Sequence, residues 1–108
     1  MTSITAVPLE VAAVCDGDRW ELVASGELDA ASAGRLLDAA AVLAAHRVPT
    51  VNLDLTGVGF ADSAGWRLAS DAVALLEAAG TAVQIGELGP GVRRLLAALE
   101  EASAATGR

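Results

Sequence analysis

The sequence predicts an α/β domain: a roughly four-stranded mixed sheet with three or more helices, in the order β-β-α-β-α-β-α. Three observations predict it. Short runs with period-2 alternation, such as Val51, Leu53 and Leu55 against Asn52, Asp54 and Thr56, read as strands. Longer runs with apolar residues at helical spacing alternate with them. The 108 residues are a single-domain length, and the core is expected over about 9–102.

Leu9–Val14 and Trp20–Ser25 are strand-like runs on either side of Cys15-Asp16-Gly17-Asp18-Arg19. Asp-Gly between apolar runs is a hairpin signal, so these strands should pair antiparallel. Asp29 precedes a helical run, Ala30–Ala45, with Leu36, Leu37, Ala40, Leu43 and Ala44 at helical spacing, and is expected to be its N-cap. Pro49 disfavours helical angles at Val48 and ends that run. The third strand, from Val51, is expected to stop where Gly57 and Gly59 break the alternation.

Asp62-Ser63 then stand before a second helix, Ser63–Ala79, which should place the Ser63 hydroxyl at or near its N-cap. Leu68, Ala69, Ala72, Val73, Leu76 and Ala79 form one apolar face of this helix, and Gly80 supplies its stop. Thr81–Ile85 reads as the fourth strand and Gly86–Gly89 as a loop. Pro90 suits the first position of a third helix running to about Ala102, with Ser103–Arg108 as a frayed tail. Right-handed crossovers make strands two to four parallel and leave the first antiparallel at an edge.

Composition narrows the function. Fourteen acidic residues face seven arginines and no lysine, a net charge of −7, which argues against a general nucleic-acid binder. It suits a soluble protein whose partner has a basic surface. Cys15 is the only cysteine, so no internal disulfide or cysteine metal cluster can form, and a reducing, cytoplasmic setting is the natural expectation. Met1–Glu10 lacks the pattern of a signal peptide, and the longest apolar run, Ala39–Ala45, is too short to cross a bilayer. No phosphate-binding loop, dinucleotide fingerprint or metal-ligand set is present, so no cofactor is expected.

Asp62, Ser63 and His46 supply the residue types of a hydrolase triad. The surrounding Ala61-Asp62-Ser63-Ala64-Gly65 is not a nucleophile elbow, however, and the lone histidine lies at the far end of a crossover helix. No catalytic residue is therefore assigned. A strand that delivers a hydroxyl to a helix N-terminus at the carboxyl end of a parallel sheet remains a common place for function. Arg67, in the first turn of that helix, opposes the helix dipole, a hint that it meets an anion or a partner carboxylate. Trp66 sits beside it.

Three segments, in order and at matching spacing, carry a family resemblance. They are Gly26-Glu27-Leu28-Asp29, the stretch Val51–Gly65 ending in Asp62-Ser63-Ala64-Gly65, and Gly80 followed by a strand, a short loop and the helix containing Val92-Arg93-Arg94-Leu95-Leu96. From about Leu9 to Ala102 the chain resembles the STAS domain, specifically the bacterial anti-sigma-factor antagonists. The resemblance implies that Ser63 is phosphorylated, with ATP, by an anti-sigma factor that is also a serine kinase. It implies that Asp62 is the neighbouring acid and that Asp29 helps form the same docking surface, with Ala64, Gly65, Trp66 and Arg67 beside them. The mechanism it implies is partner switching in transcription regulation: the unphosphorylated protein binds the anti-sigma factor, phosphorylation blocks the binding, and a serine phosphatase resets it. Two departures are visible. Ala64 stands where a Ser or Thr is usual, and this form also resembles the STAS subunits of lipid-transport ABC systems, which makes a non-switching scaffold subunit the alternative. Trp66-Arg67 replace a small or aliphatic pair.

Overall fold

The computed structural model describes residues 7–106, and its elements follow the expected order. They are β1 (Glu10–Asp16), β2 (Arg19–Leu28), α1 (Gly34–Ala45), β3 (Thr50–Ala61), α2 (Ser63–Ala78), β4 (Ala82–Leu88) and α3 (Pro90–Thr106). The sheet order is β1-β2-β3-β4, with β1 antiparallel to β2 and the β2–β3 and β3–β4 pairs parallel. The hairpin closes on Asp16↔Arg19 around Gly17, whose φ of 66° is the left-handed angle that an Asp-Gly turn requires.

Alternation decides which side of the sheet is covered. Leu22, Ala24 and Leu28 of β2 and Val51, Leu53 and Leu55 of β3 are buried against Leu36, Ala40 and Leu43 of α1 and Ala69, Ala72 and Leu76 of α2. Each leucine fully removed from water contributes about 1.5–3 kcal/mol to the hydrophobic drive. The intervening residues, Glu21, Val23 and Ser25 on β2 and Asn52, Asp54 and Thr56 on β3, stay exposed or half-buried on the other face. Principal extents of 48 × 41 × 21 Å fit one layer of helices on one sheet. On the open face, Asp54 Oδ1 accepts from the Thr56 hydroxyl at 2.6 Å and from its N–H at 2.9 Å. These two bonds, the hydroxyl first, hold the Asp54 carboxyl below its ordinary pKa.

Several boundaries differ from the sequence expectation. β3 does not stop at Gly57 and Gly59 but runs on to Ala61, because register shifts in its pairing with β2, between Val23 and Ser25 and between Gly26 and Glu27, absorb the irregularity. β2 likewise continues through Gly26-Glu27-Leu28, and β4 extends over the expected loop to Leu88. α1 begins at Gly34 rather than Ala30, after a turn over 30–33. α3 continues as helix through Thr106 where a frayed tail was expected, and residues 107–108 lie outside the described residues. The signal-peptide reading of Met1–Glu10 falls largely on residues 1–6, also outside them. No helix among the described residues is long and apolar enough to cross a membrane.

Candidate docking site

The site is built where β2 and β3 end side by side, Leu28 opposite Ala61. Beyond those residues each strand hands over to a turn or helix. The Asp62 N–H donates to Leu28 O at 3.1 Å, so the chain entering α2 is tied to the chain leaving β2. That bond holds Asp62 extended (φ −114°, ψ 173°), the conformation of an N-cap, and its Oδ1 accepts the Gly65 N–H at 2.7 Å. The cap of α2 is therefore Asp62, and Ser63 is the first helical residue, directly after the N-cap.

Gly65 makes the close approach possible. It is buried, and a Cβ there would lie 2.0 Å from Leu28 O and 2.7 Å from the Asp29 N. No residue with a side chain fits without moving the backbone of the β2–α1 connection. On the other side of the junction Asp29 caps the turn before α1 rather than the helix itself, whose N-cap is Ala33. Its Oδ1 accepts the Ser32 N–H at 3.0 Å and lies 2.8 Å from Ser32 Oγ, which is also 2.9 Å from Glu27 O. Asp29 O accepts the Ala33 N–H at 2.8 Å. The two acidic turns are thus each braced internally and then joined through Leu28.

Asp29 and Asp62-Ser63 follow the two neighbouring strand ends, Leu28 and Ala61. Ser63, Ala64 and Arg67 are exposed, and neither the Ser63 hydroxyl nor the Arg67 guanidinium has a hydrogen-bond partner among the described residues. Gly65 lies beneath this surface. Trp66 is half-buried on the flank of α2, where it lines a small apolar depression with Leu53, Val73 and Ile85. One neighbour escaped sequence reasoning. Phe60 is 47% exposed just before Asp62, and its backbone is approached by Gly91 at the start of α3. Gly57, Gly59 and the shifted register destroy the alternation that would have told its face.

The arrangement sets an exposed hydroxyl beside the capping carboxylate of Asp62. His46 is the C-cap of α1 and its Nδ1 lies 2.9 Å from Val42 O. It precedes the 12 residues of β3, whereas Ser63 follows them, a separation of about 40 Å at about 3.3 Å per residue. No group of residues that could hold a metal ion occurs among the described residues. A concavity of about 730 Å³ lies at the opposite end of the strands, around Asp16, Arg19, Thr50 and Ala82.

Comparison with known proteins agrees with the fold. A family model described as "Mlab, STAS domain" matches residues 11–100. No curated protein matches the chain. Among solved structures, Mglu superposes with a TM-score of 0.65 at 32% identity, over 70% of this chain and 19% of that one. The chain thus spans about a fifth of the Mglu chain. An anti-sigma factor antagonist from Mycobacterium paratuberculosis gives a TM-score of 0.70 at 22% identity, covering 92% of this chain and 83% of that one. The anti-sigma factor antagonist SpoIIAA in its unphosphorylated form gives 0.61 at 16% identity, covering 93% and 99%. At such identities these last two share the fold.

Proposed function

The chain belongs to the STAS domain family, and on that premise we propose that it is a cytoplasmic anti-sigma-factor antagonist switched by phosphorylation of Ser63. In this reading the unphosphorylated protein docks a kinase-type anti-sigma factor through Asp29, Asp62, Ser63, Ala64 and Arg67, with Gly65 and Trp66 supporting them, and frees a sigma factor. The kinase carries its own ATP, transfers the γ-phosphoryl group to Ser63 Oγ and so ends the complex. A serine phosphatase removes the phosphate. The domain itself catalyses nothing.

One observation carries the reading: the Ser63 hydroxyl is exposed and free, because Asp62 has taken over the capping duty that would otherwise occupy it. A phosphate there adds about −1.5 to −2 charge. The helix N-terminus accommodates it, since its dipole and free N–H groups favour anions. The docking surface does not, because the new charge stands beside Asp62 on a chain of net charge −7 and fills space that a partner occupied. Binding is lost and the fold is kept.

The test combines the pure chain with candidate kinase-type anti-sigma factors from the same source and ATP, read by intact mass, peptide mapping and native gel. One phosphate on Ser63 with loss of the complex is expected. Ser63→Ala should bind and stay unmodified, while Ser63→Asp should bind at least about tenfold more weakly, or about 1.4 kcal/mol. Parent-like affinity of Ser63→Asp would sink the switch. A second reading, a non-switching STAS subunit of a lipid-transport ABC system or signalling assembly, is favoured by the Mlab description of the matching family model and by Ala64. It expects a permanent complex and no phosphate from any kinase tried.

A further inference from the structure

We propose that the Arg67 guanidinium holds the phosphate that Ser63 carries when modified, so that modification closes an ion pair along α2 and withdraws Arg67 from the docking surface. The inference rests on the reading of Ser63 as the phosphorylated residue. Ser63 and Arg67 stand at i and i+4 on one helix. Such residues are neighbours on the helix surface, with about 5–6 Å between their Cβ atoms. Helical side chains also lean toward the N-terminus, so a long side chain at Arg67 covers the turn that holds Ser63.

Arg67 has no other occupation among the described residues. It is the only cation of α2, it is exposed, and neither an ion pair nor a hydrogen bond holds its guanidinium there. Asp71 follows it by four residues, but an acid after the base is the poorer order for such a pair. The carboxylates of the two turns are occupied with backbone groups: Asp62 Oδ1 accepts the Gly65 N–H, and Asp29 Oδ1 accepts the Ser32 N–H. A cation toward the N-terminal end of a helix opposes the dipole, so Arg67 carries a local penalty in the unmodified chain. A phosphate on Ser63 offsets it. An anion before the base is the better order, and phosphate oxygens match the guanidinium fork.

The pair gives the modification a second effect besides added charge. The phosphate brings about −1.5 to −2 charge, and Arg67 takes up part of it. Contact with the guanidinium fixes the phosphate against α2, on the surface that Asp62 and Arg67 offer to a partner. On the switching reading, one event therefore removes two docking contacts: the Ser63 hydroxyl and the Arg67 cation.

The test uses the full chain with phosphoserine genetically encoded at position 63, so it needs no kinase. Phosphorus-31 NMR follows the second ionisation of the phosphate, which falls at about pH 6 without a partner. Arg67→Gln should raise the midpoint by about 0.3–0.7 unit, the size expected of an exposed ion pair. Arg67→Lys should bring it back most of the way to the parent value. The N-terminus of α2 acts alike on all three proteins, so the differences isolate the side chain at position 67. In the parent, the Arg67 Nε–H resonance should move with the same midpoint as the phosphate. Arg93→Gln, on α3, should leave the midpoint unchanged. Equal midpoints in the parent and Arg67→Gln would overturn the proposal, as would a midpoint that answers to Arg93→Gln and not to Arg67→Gln. The kinase assay judges the switch separately: a kinase that modifies Ser63, together with equal midpoints here, would keep the switch and sink the pair.

Discussion

Replacing Gly65 by alanine tests the junction on which the candidate site rests. The added Cβ would meet Leu28 O at 2.0 Å, Leu28 C at 2.4 Å and the Asp29 N at 2.7 Å. All three are backbone atoms and cannot swing aside as a side-chain tip would. Overpacking costs about 1–3 kcal/mol. Parting the strand ends would also weaken the bond from the Asp62 N–H to Leu28 O, worth about 0.5–1.5 kcal/mol. Alanine returns up to about 1 kcal/mol of helix propensity. The balance is a net loss of about 1–3 kcal/mol, a fall in Tm of about 5–20 °C for a domain of this size. Thermal and urea unfolding would read it. Gly34→Ala is the control: its Cβ meets nothing within 4 Å, so it should melt at or above the parent. A Gly65→Ala protein as stable as the parent would refute the reasoning, because it would mean that the two turns are not welded at this point.

Two other perturbations probe neighbouring features. Asp62→Ala removes the side chain that caps α2 through the Gly65 N–H and should cost about 0.5–2 kcal/mol in urea unfolding, while Asp62→Asn should retain most of the parent stability. Thr56→Val removes the larger of the two causes that depress Asp54, so its carboxyl should titrate closer to the ordinary value by NMR. The sign for stability follows from the depressed folded pKa: the contribution of Asp54 is present above its unfolded pKa and is lost as the pH falls through the folded one. Thr56→Val should therefore lose less stability than the parent on acidification through that window. An unmoved Asp54 titration would show that the hydroxyl is not what holds it.

Much of this architecture is legible in the residues, and the failures have physical causes. The Asp-Gly turn, Gly80 at φ 92° after α2, and Pro90 at the start of α3 each sit where local chemistry places them. The parallel order follows from the crossovers, and that order sets Asp29 and Asp62-Ser63 after neighbouring strand ends. Local rules misjudged Gly57 and Gly59, because pairing with β2 carries the strand past two glycines, and no local pattern records that pairing. Asp62 and Ser63 are both good caps, and the choice between them is made by a bond to Leu28, thirty-four positions earlier. The late start of α1 has a similar origin, since Ser32 is held between Asp29 and Glu27 in a tight turn.

The weld at Gly65 leaves no hinge between the two acidic turns. On the switching reading, a group added to Ser63 cannot be relayed into a second conformation and has no slow rearrangement to wait for. The message would be read on the spot where it is written. Latency would then be set by how long a complex lives and how fast a kinase or phosphatase arrives, with the domain contributing no clock of its own.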